Sequence, residues 1–177
     1  MNAVAVDLSN NYGRVTSLTF NITDAINVND KVNTTLIQEI QDLLDNAEQG
    51  SKFVFDYPVL YGANFTINKP LNIITNVNTR LVGNNIQPVF TINTDNTTIN
   101  GFNIENGADG VLINGSSNVK IINSILSGDN GVNIMDSENV VVKDTQIVNS
   151  TNGIQIIDSK DAVIDMVSVV NSTKNGI

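Results

Sequence analysis

Residues 152–177 read NGIQIIDSKDAVIDMVSVVNSTKNGI, and the triplet Asn152-Gly153-Ile154 returns as Asn175-Gly176-Ile177. Aligning the chain backwards from this echo exposes a period. The apolar residue after each turn recurs as Phe90, Val111, Val132, Ile154 and Ile177, at spacings of 21, 21, 22 and 23. Two positions on stands a second column, Ile92, Ile113, Ile134 and Ile156. A third holds Ile99, Ile121, Val142 and Ile164, each two residues after Thr97, Val119, Val140 or Ala162, and a fourth holds Ile104, Leu126, Ile147 and Val169. Self-similarity at a fixed period marks a repeat architecture.

Within each unit the pattern is apolar-x-apolar, as in Val132-Asn133-Ile134 and Val140-Val141-Val142, which is the two-residue alternation of a half-buried strand. No unit holds a helical period, so a leucine-rich repeat is disfavoured, and neither a nonapeptide calcium roll nor a hexapeptide repeat is visible. The spacing predicts an all-β solenoid: a right-handed parallel β-helix of about 22 residues per coil, handed by the usual sense of parallel crossovers. Stacking coils about 4.8 Å apart turns each aliphatic column into a continuous internal stack. Each buried Val, Ile or Leu then contributes roughly 1.5–3 kcal/mol.

The polar residues repeat as well. Asn96, Asn118, Asn139 and Asp161 fall in register before the third column, preceded in the later coils by Ser116, Ser137 and Ser159. Asn and Asp tolerate left-handed backbone angles and can hydrogen-bond to neighbouring backbone, so these four are expected to form a structural ladder. The Asn-Gly pairs at 130, 152 and 175 are expected to be loops with glycine at positive φ. Lys143 and Asp165 share a register and should be neighbours on the outer surface.

Residues 34–49, TTLIQEIQDLLDNAEQ, break the β pattern: Leu36, Ile37, Ile40, Leu43, Leu44 and Ala47 follow helical spacing, and Gly50 stands where a C-terminal stop belongs. An amphipathic helix here has the right character to plug the open N-terminal end of the solenoid, whose strand edges would otherwise be exposed. Residues 1–52 therefore read as a cap, with strand-like alternation over 3–8 and 15–23, and residues 53–177 as the coils.

Composition limits the chemistry. The chain of 177 residues has a net charge of −9 and no basic cluster, which disfavours nucleic acid and anionic membranes as partners. No apolar run is long enough to span a bilayer. The N-terminus lacks the basic-then-apolar organisation of a signal peptide. Histidine and cysteine are both absent, which removes thiolates, imidazoles and the commonest general base. Seven Asn-x-Ser/Thr sequons, at Asn21, Asn33, Asn64, Asn96, Asn114, Asn149 and Asn171, exceed chance only slightly among 30 asparagines.

The order of helix, then SKFVFDYPVLYGANFTINKPLNII (51–74), then PVFTINTDNTTINGFNIENG (88–107), resembles the opening of β-helix modules in adhesin-like surface proteins of methanogenic archaea and in NosD-type or pectate-lyase-like repeat proteins. The resemblance implies an extracellular or cell-surface solenoid, with Ile177 as a fragment boundary and Met1 as an added start. A lyase of this architecture would carry a calcium-binding carboxylate cluster and a basic residue, yet Arg14 and Arg80 both read as lying outside the regular coils. Asp136 and Asp158 stack in one column and are close enough to share a cation or proton, but a solvated turn accounts for both. Met1, Met135 and Met166 without His or Cys do not make a copper site.

The sequence thus points to a non-enzymatic structural or adhesive module with no catalytic residue, cofactor or metal ligand. Its expected partners are surface glycans or envelope proteins, and an uncovered C-terminal coil invites end-to-end self-association. The alternative is a carbohydrate-binding or carbohydrate-active β-helix with a groove along one strand face.

Overall fold

A computed structural model describes residues 19–22 and 34–177 of the chain. The strand expected over 3–8 lies outside the described residues. In chain order, β1 (Thr19–Ile22) and α1 (Thr34–Asn46) precede a first coil of β2 (Lys52–Phe55), β3 (Val59–Tyr61) and β4 (Phe65–Ile67). The second coil is β5 (Asn72–Thr75), β6 (Arg80–Val82) and β7 (Phe90–Ile92). The third joins β8 (Thr98–Asn100) to β9 (Asn103–Asn114), and the fourth joins β10 (Lys120–Ile122) to β11 (Ile125–Met135); β9 and β11 each bend across two faces. A fifth coil holds β12 (Val141–Lys143), β13 (Gln146–Val148) and β14 (Asn152–Ile157), and a sixth begins with β15 (Val163–Asp165) and β16 (Ser168–Val170).

Every pairing between successive coils is parallel, and the result is the expected β-helix of about five turns with about 22 residues per coil. Its three faces are β1-β2-β5-β8-β10-β12-β15, then β3-β6-β9-β11-β13-β16, then β4 and β7 continuing through the second halves of β9 and β11 to β14. The aliphatic columns read from the sequence are the ladder registers. Ile92 pairs with Ile113, Ile113 with Ile134 and Ile134 with Ile156; Ile99 pairs with Ile121, Ile121 with Val142 and Val142 with Ile164. All but the last members are fully buried. Ile156 keeps its register yet is 40% exposed, because residues 175–177 cover it only in part. Ile164 is half-buried for the same reason of position.

The upper coils are wider, and aromatic rings fill them. Phe55 meets Phe65 and Phe102, and Phe90 meets Phe65 and Phe102, with centroids 5.4–5.9 Å apart in edge-on or tilted contact. Helix α1 closes this end. Its stripe of Leu36, Ile40, Leu44 and Ala47 is buried against the same core as Phe53, Phe55 and Phe65. One polar residue on the helix does the work of a strand: Gln41 donates from Nε2 to Thr66 O (2.9 Å) and accepts from Thr66 N at Oε1 (2.9 Å), satisfying the free edge of β4. β1 covers the corresponding edge of the first face by pairing with β2. The helix ends three residues before the sequence suggests, where Asn46 Nδ2 donates to Asp42 O (2.7 Å), and Gly50 takes φ +81°.

Corners between faces are built from left-handed residues stacked in columns. Asn96, Asn118, Asn139 and Asp161 have φ 55–57°, and the backbone N–H of each of the first three donates to a carbonyl of the next coil at 2.9–3.2 Å. Their side chains are exposed, so what this column repeats is a backbone conformation, held by backbone bonds, with no bond from one amide to the next. Buried hydroxyls supply the side-chain ladder at the same corner. Ser116 N donates to Ser137 Oγ (3.1 Å) and Ser137 N to Ser159 Oγ (3.0 Å), while the hydroxyls of Ser137 and Ser159 donate to carbonyls two residues back.

Candidate functional site

The most ordered polar feature is at the corner between the second and third faces. Asn175 Nδ2 donates to Asn152 Oδ1 (3.0 Å), Asn152 Nδ2 to Asn130 Oδ1 (2.9 Å), and Asn130 Nδ2 to Asp109 Oδ1 (2.6 Å). This amide ladder corrects the expectation for the Asn-Gly pairs. They lie within or beside strands, Gly131, Gly153 and Gly176 do not adopt positive φ, and the asparagines align because the ladder needs identical amides one coil apart. The glycines serve another purpose: a Cβ on Gly131 would overlap Ile147 Cγ2, and one on Gly153 would overlap Val169 and the Gly176 carbonyl. Asn-Gly is ordinarily turn chemistry; the shared register with Asp109 is what marks it in the sequence as a ladder.

Asp109 ends the chain of donors. It is only 8% exposed, and its second oxygen, Oδ2, accepts from Asn133 Nδ2 (3.2 Å). Both carboxylate oxygens are thus engaged by amides, which ties the group into the ladder. Replacing Asp109 by alanine strands two amide donors next to the core and is expected to lower stability by about 1.5–3 kcal/mol. Asp136→Asn, at an exposed left-handed corner, is expected to change it by less than about 0.5 kcal/mol. Urea midpoints of the two variants check the contrast.

Beside the ladder, Asn85, Asn106, Ser127, Asp129, Asn149 and Thr173 border a shallow polar groove of about 210 Å³. Asp136 and Asp158 occupy one column with Gly115, all with φ 48–59°, so their carboxylates sit on solvated turns. Among the described residues, no three of His, Cys, Asp and Glu come together as a metal would need.

Arg80 also departs from its expected place. It belongs to β6 in the second coil, because the connections on either side of that strand lengthen the coil and hide the register. Its Nε donates to Glu105 Oε1 (2.7 Å), and its guanidinium lies 5.9 Å from the Tyr61 ring centroid. The bond to Glu105 holds the Arg80 guanidinium above its ordinary value. Lys143 bonds Asp165 (2.7 Å) as the register requires, and Lys160 lies 3.0 Å from Glu138; in each the carboxylate raises the ammonium above its usual value. These are surface pairs screened by solvent, and they bring no reactive group to a common point.

Stacked parallel coils, internal aliphatic columns and outer amide and hydroxyl ladders define the class: a parallel β-helix repeat protein. Within that class the chain belongs to the NosD family, described as periplasmic copper-binding protein, which matches residues 44–177. No curated protein and no solved structure matches the chain.

Proposed function

We propose that the chain is a non-enzymatic structural and adhesive module: a rigid β-helical rod that displays or attaches surfaces in the periplasm or at the cell surface. One observation carries this reading. The polar groups of the Asp109 ladder, the serine ladder and the left-handed corners are spent on holding one coil to the next, and among the described residues no nucleophile, base and oxyanion donor converge. The family name supports a place outside the cytoplasm. It does not bring copper to this chain. Copper is held by imidazole, thiolate or thioether, the sequence has no His or Cys, and Met135 ends β11 while Met166 stands exposed at a different corner, after β15.

The reading is tested by passing the purified chain over immobilised envelope polysaccharides, uronans included, and assaying the same polymers for new reducing ends or unsaturated uronyl products. Retention without cleavage is the expected result. Cleavage that scales with protein concentration makes the chain an enzyme, and retention on none of the polymers removes the adhesive role.

A further inference from the structure

A cleft of about 390 Å³ lies between α1 and the third face, within the range of small-ligand pockets. Its walls carry Asp45, Asn64, Thr66, Asn68, Asn84 and Gln87. Five of these side chains are held by an internal bond at one end of an amide or carboxylate. Asn84 Oδ1 accepts from Ile86 N (2.9 Å) and Gln87 N (3.1 Å); Asn68 Oδ1 accepts from Asn93 Nδ2 (3.2 Å); Gln87 Oε1 accepts from Asn64 Nδ2 (2.5 Å); Asp45 Oδ1 accepts from Gln41 Nε2 (3.0 Å). What remains is a set of fixed donors, the amide nitrogens of Asn68, Asn84 and Gln87. Beside them are fixed acceptors, Asn64 Oδ1 and Asp45 Oδ2, with the Thr66 hydroxyl able to do either.

We infer that this cleft binds a neutral saccharide. Mixed donors and acceptors on planar, pre-positioned amides match adjacent hydroxyls, each of which both gives and takes a hydrogen bond. No cation lines the cleft, Asp45 is its one charged residue, and the protein carries a net charge of −9, so uronates, sulfated sugars and phosphates are repelled. The cleft is distinct from the groove beside the Asp109 ladder, and it uses the capping helix as one wall. With no aromatic platform the affinity is weak.

This inference rests on the adhesive reading and specifies its ligand class. Ligand-observed NMR on the full chain, using gluco-, manno- and galacto-oligosaccharides and an oligogalacturonide as probes, is the test. At least one neutral series is expected to bind and the oligogalacturonide to give no signal. Asn68→Asp, Asn84→Asp and Gln87→Glu together keep every internal acceptor and turn the three free donors into charged acceptors; this variant is expected to bind at least 10-fold more weakly while remaining folded. Asn84→Asp alone, which preserves its turn, is expected to give a smaller loss and covers the case in which the triple variant folds poorly. Binding confined to the oligogalacturonide, or neutral binding equal in wild type and variants, overturns the assignment. Retention on envelope polysaccharide would then persist in the variants and leave the adhesive reading standing on another surface.

Discussion

Phe90→Ala is expected to destabilise the protein by about 3–5 kcal/mol, which for a chain of this size lowers the melting temperature by about 6–20 °C. Phe90 is fully buried, pairs in register with Phe65 above and Val111 below, and its ring touches both Phe65 and Phe102. Phe65 and Phe102 both lean on Phe55, so one truncation opens a void beside two rings and loosens a third through them. The neighbours cannot collapse into that void easily. Each is fixed by backbone bonds to coils above and below, and a solenoid has no alternative core to borrow from. Phe90→Leu keeps most of the volume and is expected to lose less than half as much. Thermal melts of the two variants decide it: a loss for alanine below about 1 kcal/mol would mean the rings do not fill the upper coils.

The columns that carry this prediction were legible because a strand alternation and a repeat near 22 residues reinforce each other. Ile99, Ile121 and Val142 could only stack once both periods were read together. The capping helix was legible for a simpler reason, since its apolar stripe is the one helical period in a β sequence. Gln41 was not, because a glutamine on a helix says nothing about a strand edge until Thr66 is beside it. Arg80 escaped because the long connections of the second coil shift the register that the later coils obey. The amide-lined cleft is the hardest case. Asparagine is about one residue in six here, so the few that meet a cleft look like the many that hold corners, and only the partner of each amide distinguishes them.

Gly131→Ala is expected to cost about 3 kcal/mol or more, although the residue is neither at positive φ nor in a loop. An added Cβ would collide with Ile147 Cγ2 and lie 2.8 Å from the Gly153 carbonyl oxygen. Ile147 is fully buried, and the carbonyl belongs to the backbone of the next coil, so neither can yield without parting the coils. Parting them would also stretch the bond from Asn152 to Asn130. Gly176→Ala supplies the internal control. It is the same dipeptide in the same column, yet its Cβ meets nothing within 4 Å, and its expected cost is within about 0.5 kcal/mol. If glycine were required for its backbone angles, the two substitutions would cost alike; if it is required because the coils approach too closely for a side chain, only Gly131→Ala should lower the urea midpoint. Equal losses at the two sites would remove the close-approach account of the repeated Asn-Gly pairs, and with it the reason for glycine beside the amide ladder.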